Sequence, residues 1–167
     1  MANTLRPIVN QRLYFASLHL GWLDEQLRRQ QVAGNILEQA LGESIVLHLV
    51  MAYRSYLREL AQSYQAVLPA PGSAVELAQF LAQAGTESAE CHELAALEQR
   101  DSWLSKLLAQ FHSLGDDNNQ PDRQPQQSGA IPLRVVAEDA LSLESLTAAH
   151  GALRDLIEQQ RMRLEEW

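Results

Sequence analysis

The apolar residues of this chain recur at helical spacing, and this pattern constrains the fold more than any other feature. Near the start of the chain they follow one another at intervals of three or four, as Leu5, Val9, Leu13, Ala16, Leu20, Leu23 and Leu27. Residues three and four apart lie on one face of a helix. The segment therefore predicts a helix over residues 5–31 with a continuous apolar stripe, and the near absence of period-two alternation argues against a β-sheet.

Residues that end and cap helices divide the remainder into further elements. A break at residues 33–35 precedes a second helix over residues 36–67, whose largely apolar middle predicts that it is the most buried element. Ser73 followed by Glu76 predicts a capping box for a short helix that ends near residue 83. Ser142 predicts the cap of a last long helix that runs to residue 167.

The segment from residue 86 to residue 114 is predicted to be helical but interrupted. Asp101 lies on the line of its apolar stripe, which consists of Leu94, Leu97, Leu104, Leu108 and Phe111. Asp101 is therefore either a polar group in the core or, with Ser102, the cap of a new helix that begins at Trp103. We favour the cap, because aspartate and serine are frequent N-cap residues and are rarely buried.

Residues 115–129 contain no hydrophobic side chain, which predicts a flexible surface loop. Residues 131–136 are the one stretch with extended character, and we expect them to lie across the helices as coil. The chain as a whole predicts one all-α domain over residues 1–167. Its expected architecture is an antiparallel bundle of four principal helices with a short extra helix and one long mobile loop.

Composition and charge limit the partners of the protein. Thirteen basic and twenty-one acidic residues give a formal net charge of −8, which argues against a nucleic-acid surface. The most apolar run, residues 45–53, is too short to span a membrane, and the single cysteine, Cys91, has no disulfide partner in the chain. No targeting segment is recognisable. We therefore expect a soluble, cytoplasmic protein that binds neither nucleic acid nor a membrane.

Five polar side chains on or beside apolar stripes form the candidate site. Arg12 and His19 are seven residues apart and share one helix face, Glu43 and Arg54 flank the apolar face of the second helix, and His150 occupies a core position in the last helix. One interpretation is a polar pocket inside the bundle. The other is a structural polar layer that sets the register of the helices. We favour the second, because the set completes no recognised reaction.

Arg12 and His19 also match the spacing of a known catalytic motif. Their separation resembles the arginine–histidine motif of HEPN-type ribonucleases, which are small helical bundles as well. Those enzymes usually carry the motif on a late helix with a polar residue after the arginine. Here the motif lies on the first helix, and the apolar Leu13 follows the arginine. We therefore keep nuclease activity as an alternative function.

Metal and cofactor chemistry has little support in the sequence. None of the five histidines has a glutamate three residues before it, which argues against a ferritin-like di-metal site. We expect no catalytic residue, no metal and no cofactor. The candidate surfaces for a protein partner are residues 131–136 and an acidic helix face formed by Glu87, Glu90, Glu93 and Glu98.

The opening of the chain resembles a family of small gammaproteobacterial proteins described only as a domain of unknown function. The resemblance lies in Met1-Ala2-Asn3-Thr4-Leu5 and Asn10-Gln11-Arg12-Leu13-Tyr14-Phe15-Ala16, with looser similarity at residues 48–53 and 102–108. It implies a helical cytoplasmic protein and carries no activity. The sequence thus favours a non-catalytic protein-interaction or accessory module, with a homodimer as one possibility. The alternative is a weak nuclease or small-ligand binder that uses Arg12, His19 and His150.

Overall fold

A computed structural model describes residues 4–29, 34–67, 70–115 and 140–166. For residues 34 and 35 the description covers the backbone alone. These residues form six helices and no strand, which confirms the all-α class. The helices are α1 (Arg6–Arg29), α2 (Gly34–Ser63), α3 (Ala74–Gln83), α4 (Ala89–Gln99), α5 (Trp103–Leu114) and α6 (Leu143–Glu165). Most of the predicted loop, residues 116–129, and all of residues 131–136 lie outside the described residues.

The apolar stripe of α1 packs against α2 and α6. Its buried members are Val9, Leu13, Ala16, Leu20 and Leu23. Leu5 is only half-buried and Leu27 is exposed, so the predicted stripe is buried over the middle of the helix and not at its two ends.

The second helix contributes the largest share of the core. Ile45, Leu49 and Tyr53 in its middle are almost fully buried, as the sequence predicted. In the part of the chain that the structure describes, α2 is also the one helix long and apolar enough to cross a membrane, with a mean hydropathy of 1.2. This is weak evidence for a membrane span, because the core helix of a bundle has the same composition.

Serine side chains begin four of the six helices, as N-caps of the kind the sequence indicated. Ser73 Oγ accepts from the N–H of Glu76, whose carboxylate accepts from the N–H of Gly72 and not from the cap residue itself. Ser142 Oγ accepts from the N–H of Ser145 at the start of α6. Ser88 caps α4, which begins at Ala89, three residues after the predicted start at residue 86.

The position of Asp101 decides between the two predictions for the interrupted segment. Helix α4 ends at Gln99, and Ser102 caps α5 in a capping box with Ser105. Asp101 is exposed and forms an ion pair with Lys106 at 3.2 Å. The predicted new helix at residue 103 is confirmed, and Asp101 is not a core residue.

Contacts between distant residues show how the long helices run. Arg6, at the start of α1, bonds Glu165 at the end of α6, while Leu13 contacts His150 near the start of α6. The two helices are therefore antiparallel. Three of the six described helices are short, with 10, 11 and 12 residues. The predicted bundle of four principal antiparallel helices therefore stays a prediction, as does the single domain over residues 1–167.

A buried ion pair joins α2 to α6. Arg161 donates from Nε and Nη2 to the two carboxylate oxygens of Glu59, at 2.8 and 2.7 Å. The side chains are only 8% and 4% exposed. The remaining Nη1 donates to Asn10 Oδ1 of α1 at 2.9 Å, so three helices meet at one guanidinium. Two parallel bonds of this kind require one relative placement of the helices that carry them.

A buried amide extends this polar layer to α4. Gln160 is fully buried; its Oε1 accepts from the Tyr56 hydroxyl at 2.9 Å, and its Nε2 donates to Glu93 Oε2 at 2.9 Å. Arg163 donates to the same Glu93 oxygen. Burial raises the pKa of Glu93, but the hydrogen bonds from Gln160 and Arg163 outweigh it, so that its pKa is lowered.

We expect Arg161→Met to destabilise the fold by about 3–5 kcal/mol, because it leaves the Glu59 carboxylate buried without its partner. The double variant Glu59→Leu/Arg161→Met should regain most of that loss, since no unpaired charge then remains in the core. Urea unfolding of the parent, both single variants and the double variant measures the coupling between the two side chains.

Arg154→Met on the same helix is the matched control. Arg154 pairs with Asp155 in an exposed position, so this variant should leave the urea midpoint unchanged. A double variant as unstable as Arg161→Met would contradict the assignment of a charge-pairing role to Glu59 and Arg161.

Candidate functional site

The structure distributes the five predicted site residues over three places. Arg12 and His19 of α1 meet at His48 of α2, a residue that the prediction did not include. Glu43 and Arg54 lie on the side of α2 that faces α5. His150 contacts the backbone of α1 from α6. The residues that form the polar layer of the core are a different set, centred on Glu59 and Arg161.

Two histidines stack where α1 crosses α2. The rings of His19 and His48 have centroids 5.2 Å apart and are tilted by 45°. Phe15 packs edge-on against His48 at 5.4 Å, and Trp22 lies 5.2 Å from His19. Arg12 Nη1 approaches His48 Nδ1 at 3.5 Å. This contact suits a neutral His48 with its proton on Nε2, because a guanidinium can only donate.

The surroundings of His48 favour its uncharged imidazole. Burial, the neighbouring His19 and the Arg12 guanidinium all lower the pKa of His48. Nδ1 of His19 is buried and has no hydrogen-bond partner among the described residues. A buried polar atom without a partner is uncommon in folded proteins.

Most of the large hydrophobic side chains that are exposed in the described residues lie on α1 and α2. Ile8, Leu18 and Trp22 of α1 are 41%, 37% and 52% exposed, and Leu47 of α2 is 42% exposed. Ile8, Leu18 and Trp22, together with the half-buried Phe15 beside His48, form what we call the α1–α2 face; Leu47 instead lines the groove between α2 and α5. Of the ten large hydrophobic residues that are exposed in the described chain, eight belong to α1 or α2; Val67 and Met162 are the other two. A grouping of this kind is typical of a surface that binds a partner.

Glu43 and Arg54 do not point into the bundle. Glu43 accepts from Gln39 at 2.9 Å and lines an open groove of about 900 Å³ between α2 and the end of α5. Arg54 is exposed and its guanidinium lies 4.8 Å from the centre of the Phe111 ring. The prediction that Arg54 is held in the interior is wrong: the guanidinium stacks on an aromatic face at the surface and keeps its contact with water.

His150 is half-buried and makes a structural contact. Its Nε2 donates to the carbonyl oxygen of Leu13 at 3.1 Å, a backbone group that belongs to the packed middle of α1. Burial lowers the pKa of His150, although its hydrogen bond to Leu13 opposes that shift. His150 thus joins α6 to α1 in its neutral form.

The predicted acidic face of α4 is engaged within the bundle. Glu90 is buried and accepts from the Tyr64 hydroxyl at 2.6 Å, and Glu93 binds Gln160 and Arg163. Glu98 accepts from the Tyr53 hydroxyl at 2.6 Å and from the N–H of Ala74 at the start of α3. Of the four glutamates only Glu87 is fully exposed. Glu90, Glu93 and Glu98 thus bind neighbouring parts of the bundle, although the Glu93 side chain is still 40% exposed.

The sequence contained signals for part of what the prediction missed. His48 interrupts the most apolar run of the chain, so its position next to α1 could have been anticipated. Arg161 directly follows the buried Gln160, but no spacing rule connects it with Glu59 or Asn10. In the described residues, no group of three histidine, cysteine, aspartate or glutamate side chains is arranged to hold a metal ion.

Acidification should weaken the fold through His48 and His150. Both have a pKa below the ordinary value in the folded state, so the unfolded chain binds protons more readily and stability falls as pH drops below about 6.5. We expect the urea midpoint to fall between pH 7.5 and pH 5.5, and to fall less in His48→Gln/His150→Gln. His92→Gln, at an exposed position of α4, should keep the pH dependence of the parent. A double variant with the full parental dependence would contradict the role of these two imidazoles.

Comparison with known proteins gives a family but no activity. No curated protein and no solved structure matches the chain. The model of DUF6586, a family of unknown function, matches residues 1–167. The resemblance inferred from the opening residues is thereby confirmed at the level of the family, whereas the gammaproteobacterial origin stays a prediction. The chain, with its core ion pair and its apolar α1–α2 face, belongs to this family of unknown function.

Proposed function

We propose that the protein is a non-catalytic interaction module that binds another protein chain through the α1–α2 face. The observation that supports this proposal is the concentration of exposed apolar side chains on two adjacent helices, with Trp22 more than half exposed. Tryptophan is enriched among the residues that contribute most to binding energy at interfaces. The rest of the described surface offers no comparable grouping.

The arrangement of the polar groups favours binding over catalysis. The carboxylates of α4 are occupied by tyrosine hydroxyls and backbone N–H groups, and Glu59 is neutralised by Arg161. The neutral His48 lies beside an arginine and another histidine, without a carboxylate among its contacts in the described residues to orient it as a general base. We extend the proposal to a soluble protein of the bacterial cytoplasm, a setting supported by the resemblance of the opening segment and by the acidic net charge of −8.

One observation favours a second candidate function, the binding of a small ligand or weak nuclease activity at Arg12, His19 and His48. His19 Nδ1 is buried without a partner, and Arg12 could bind an anionic group beside it. Arg12→Ala distinguishes the two. In an interaction module it should lower the melting temperature slightly through loss of the His48 contact, whereas in a ligand or nuclease site it should abolish binding or cleavage and leave stability unchanged or raised.

Site-specific photo-crosslinking in the native host tests the proposal. A photo-reactive amino acid in place of Trp22 should give protein adducts, because this side chain is the most exposed one of the α1–α2 face. The same amino acid in place of Met162, which is 58% exposed on α6, is the matched control and should give few. Equal adducts at both positions, or none at position 22, would overturn the proposal. Adducts with RNA at position 22 would favour the nuclease alternative.

A further inference from the structure

We propose that Arg12, His19 and His48 form a binding site for an oxyanion, the phosphate group of a small soluble molecule. The inference rests on the second candidate function, because it names the ligand class of the same three side chains. It follows from three observations on the described residues: the charge of Arg12 is not neutralised by a carboxylate, a nitrogen of His19 lacks a partner, and no acidic side chain contacts the cluster.

Arg12 is half-buried and forms no ion pair in the described part of the chain. Among the arginine and lysine side chains that the structure describes, only Arg12 and Arg161 are not exposed. Arg161 binds Glu59, whereas the polar contact of Arg12 is the long approach of Nη1 to His48 Nδ1 at 3.5 Å. A guanidinium that loses water without gaining an anion costs free energy. A bound oxyanion would remove that cost, as Glu59 does for Arg161.

The imidazoles of His19 and His48 supply further hydrogen-bond donors at the same place. Their ring centroids are 5.2 Å apart and their planes are tilted by 45°, so the donors of the two rings do not lie in one plane. Nδ1 of His19 is buried without a partner among the described residues, and rotation of the ring toward a bound anion would give it one. A carboxylate is planar and matches a guanidinium alone, whereas a phosphate has three acceptor oxygens that point in different directions. The arrangement therefore favours a phosphate group.

Acidic side chains do not compete for this cluster within the described residues. Burial lowers the pKa of His48, and the titratable groups that add to this shift are His19 and Arg12. The carboxylates nearest in sequence are those of Asp24 on α1 and Glu43 on α2, and each bonds a residue four positions away on its own helix. The net charge of −8 disfavours extended contact with a polyanion, so the charges favour a single phosphate group on a small molecule.

The experiment is a titration of the full chain with inorganic phosphate at constant pH and ionic strength, followed through the NMR signals of the histidine imidazoles. We expect saturable shifts of the His19 and His48 signals. The signals of His92 and His112, which are exposed on α4 and α5, should stay in place because these rings report only general effects of the salt. Equal shifts at all four histidines, or none at His19 and His48, would overturn the proposal.

Arg12→Gln should lower the affinity for inorganic phosphate by about 10- to 100-fold, because it removes charge-assisted hydrogen bonds. Arg58→Gln is the matched control. Arg58 is an exposed arginine of α2 that forms no ion pair in the described residues, so its loss should leave the affinity unchanged. An affinity that Arg12→Gln does not change, or that Arg58→Gln lowers as much, would show that the phosphate binds elsewhere and that the proposal is wrong.

Phosphate should also raise the melting temperature of the parent, because a ligand that binds only the folded chain stabilises it. Phosphate stabilises proteins in general through its exclusion from their surface, and Arg12→Gln measures that general part. We therefore expect a larger rise in the parent than in the variant. Without phosphate, Arg12→Gln should melt no lower than the parent, since it removes a half-buried charge that lacks a counter-ion. Equal rises, or a variant that melts lower without phosphate, would contradict the proposal.

Two further samples distinguish the sources of a phosphate group. Vesicles that contain phosphatidic acid present the group on a membrane, and a short RNA presents it on a polymer. If either binds the parent more tightly than inorganic phosphate does, and Arg12→Gln removes that binding, the assignment to a small soluble molecule is wrong.

The outcome for the oxyanion site is separate from the outcome for the protein contact. Photo-adducts at position 22 without phosphate binding would reject the oxyanion site and leave the interaction function in place. Phosphate binding at His19 and His48 without photo-adducts would reject the interaction function and support the site.

Discussion

The bidentate pair between Arg161 and Glu59 is the interaction on which the arrangement of the bundle depends. Leucine stripes attract one another without specifying the rotation or height of one helix against another, because hydrophobic contact is not directional. A guanidinium with two parallel hydrogen bonds to a carboxylate and a third to Asn10 permits one geometry for α1, α2 and α6. Gln160, next to Arg161, extends the same constraint to α4 through Glu93. The polar layer therefore supplies the specificity that the apolar core lacks.

The two sides of α1 differ in what they contribute to the packing of the bundle. One side carries the buried stripe and the contacts to Arg161 and His150, which join it to α6. The other carries Ile8, Phe15, Leu18 and Trp22, which add little to the core of a single chain. The histidine pair lies at the border, where Arg12 and burial keep His48 neutral.

Much of the fold was predictable because it depends on local chemistry. The stripe of α1, the serine caps at Ser73, Ser102 and Ser142, and the break before Trp103 all follow from residues a few positions apart. The candidate site was predicted less well. Arg12 and His19 do share a face, but their common neighbour His48 lies on α2, and Arg54 is exposed where an interior position was expected. Helical spacing says which side of a helix a residue occupies, and it does not say what covers that side.

Sequence periodicity and capping chemistry account for the all-α class, the serine caps of α3, α5 and α6 and the apolar faces, since these are set within one or two turns of chain. The ends of α1 and α2 differ by one to four residues from the predicted bounds. The pairing of Arg161 with Glu59 across 102 residues, and the use of the α4 glutamates as internal hydrogen-bond acceptors, arise only when the helices pack. Packing also leaves Ile8, Leu18 and Trp22 of α1 exposed in the part of the chain that the structure describes. The physical reason is that a buried polar group must find a partner wherever the fold brings one, however far apart the two lie in the chain.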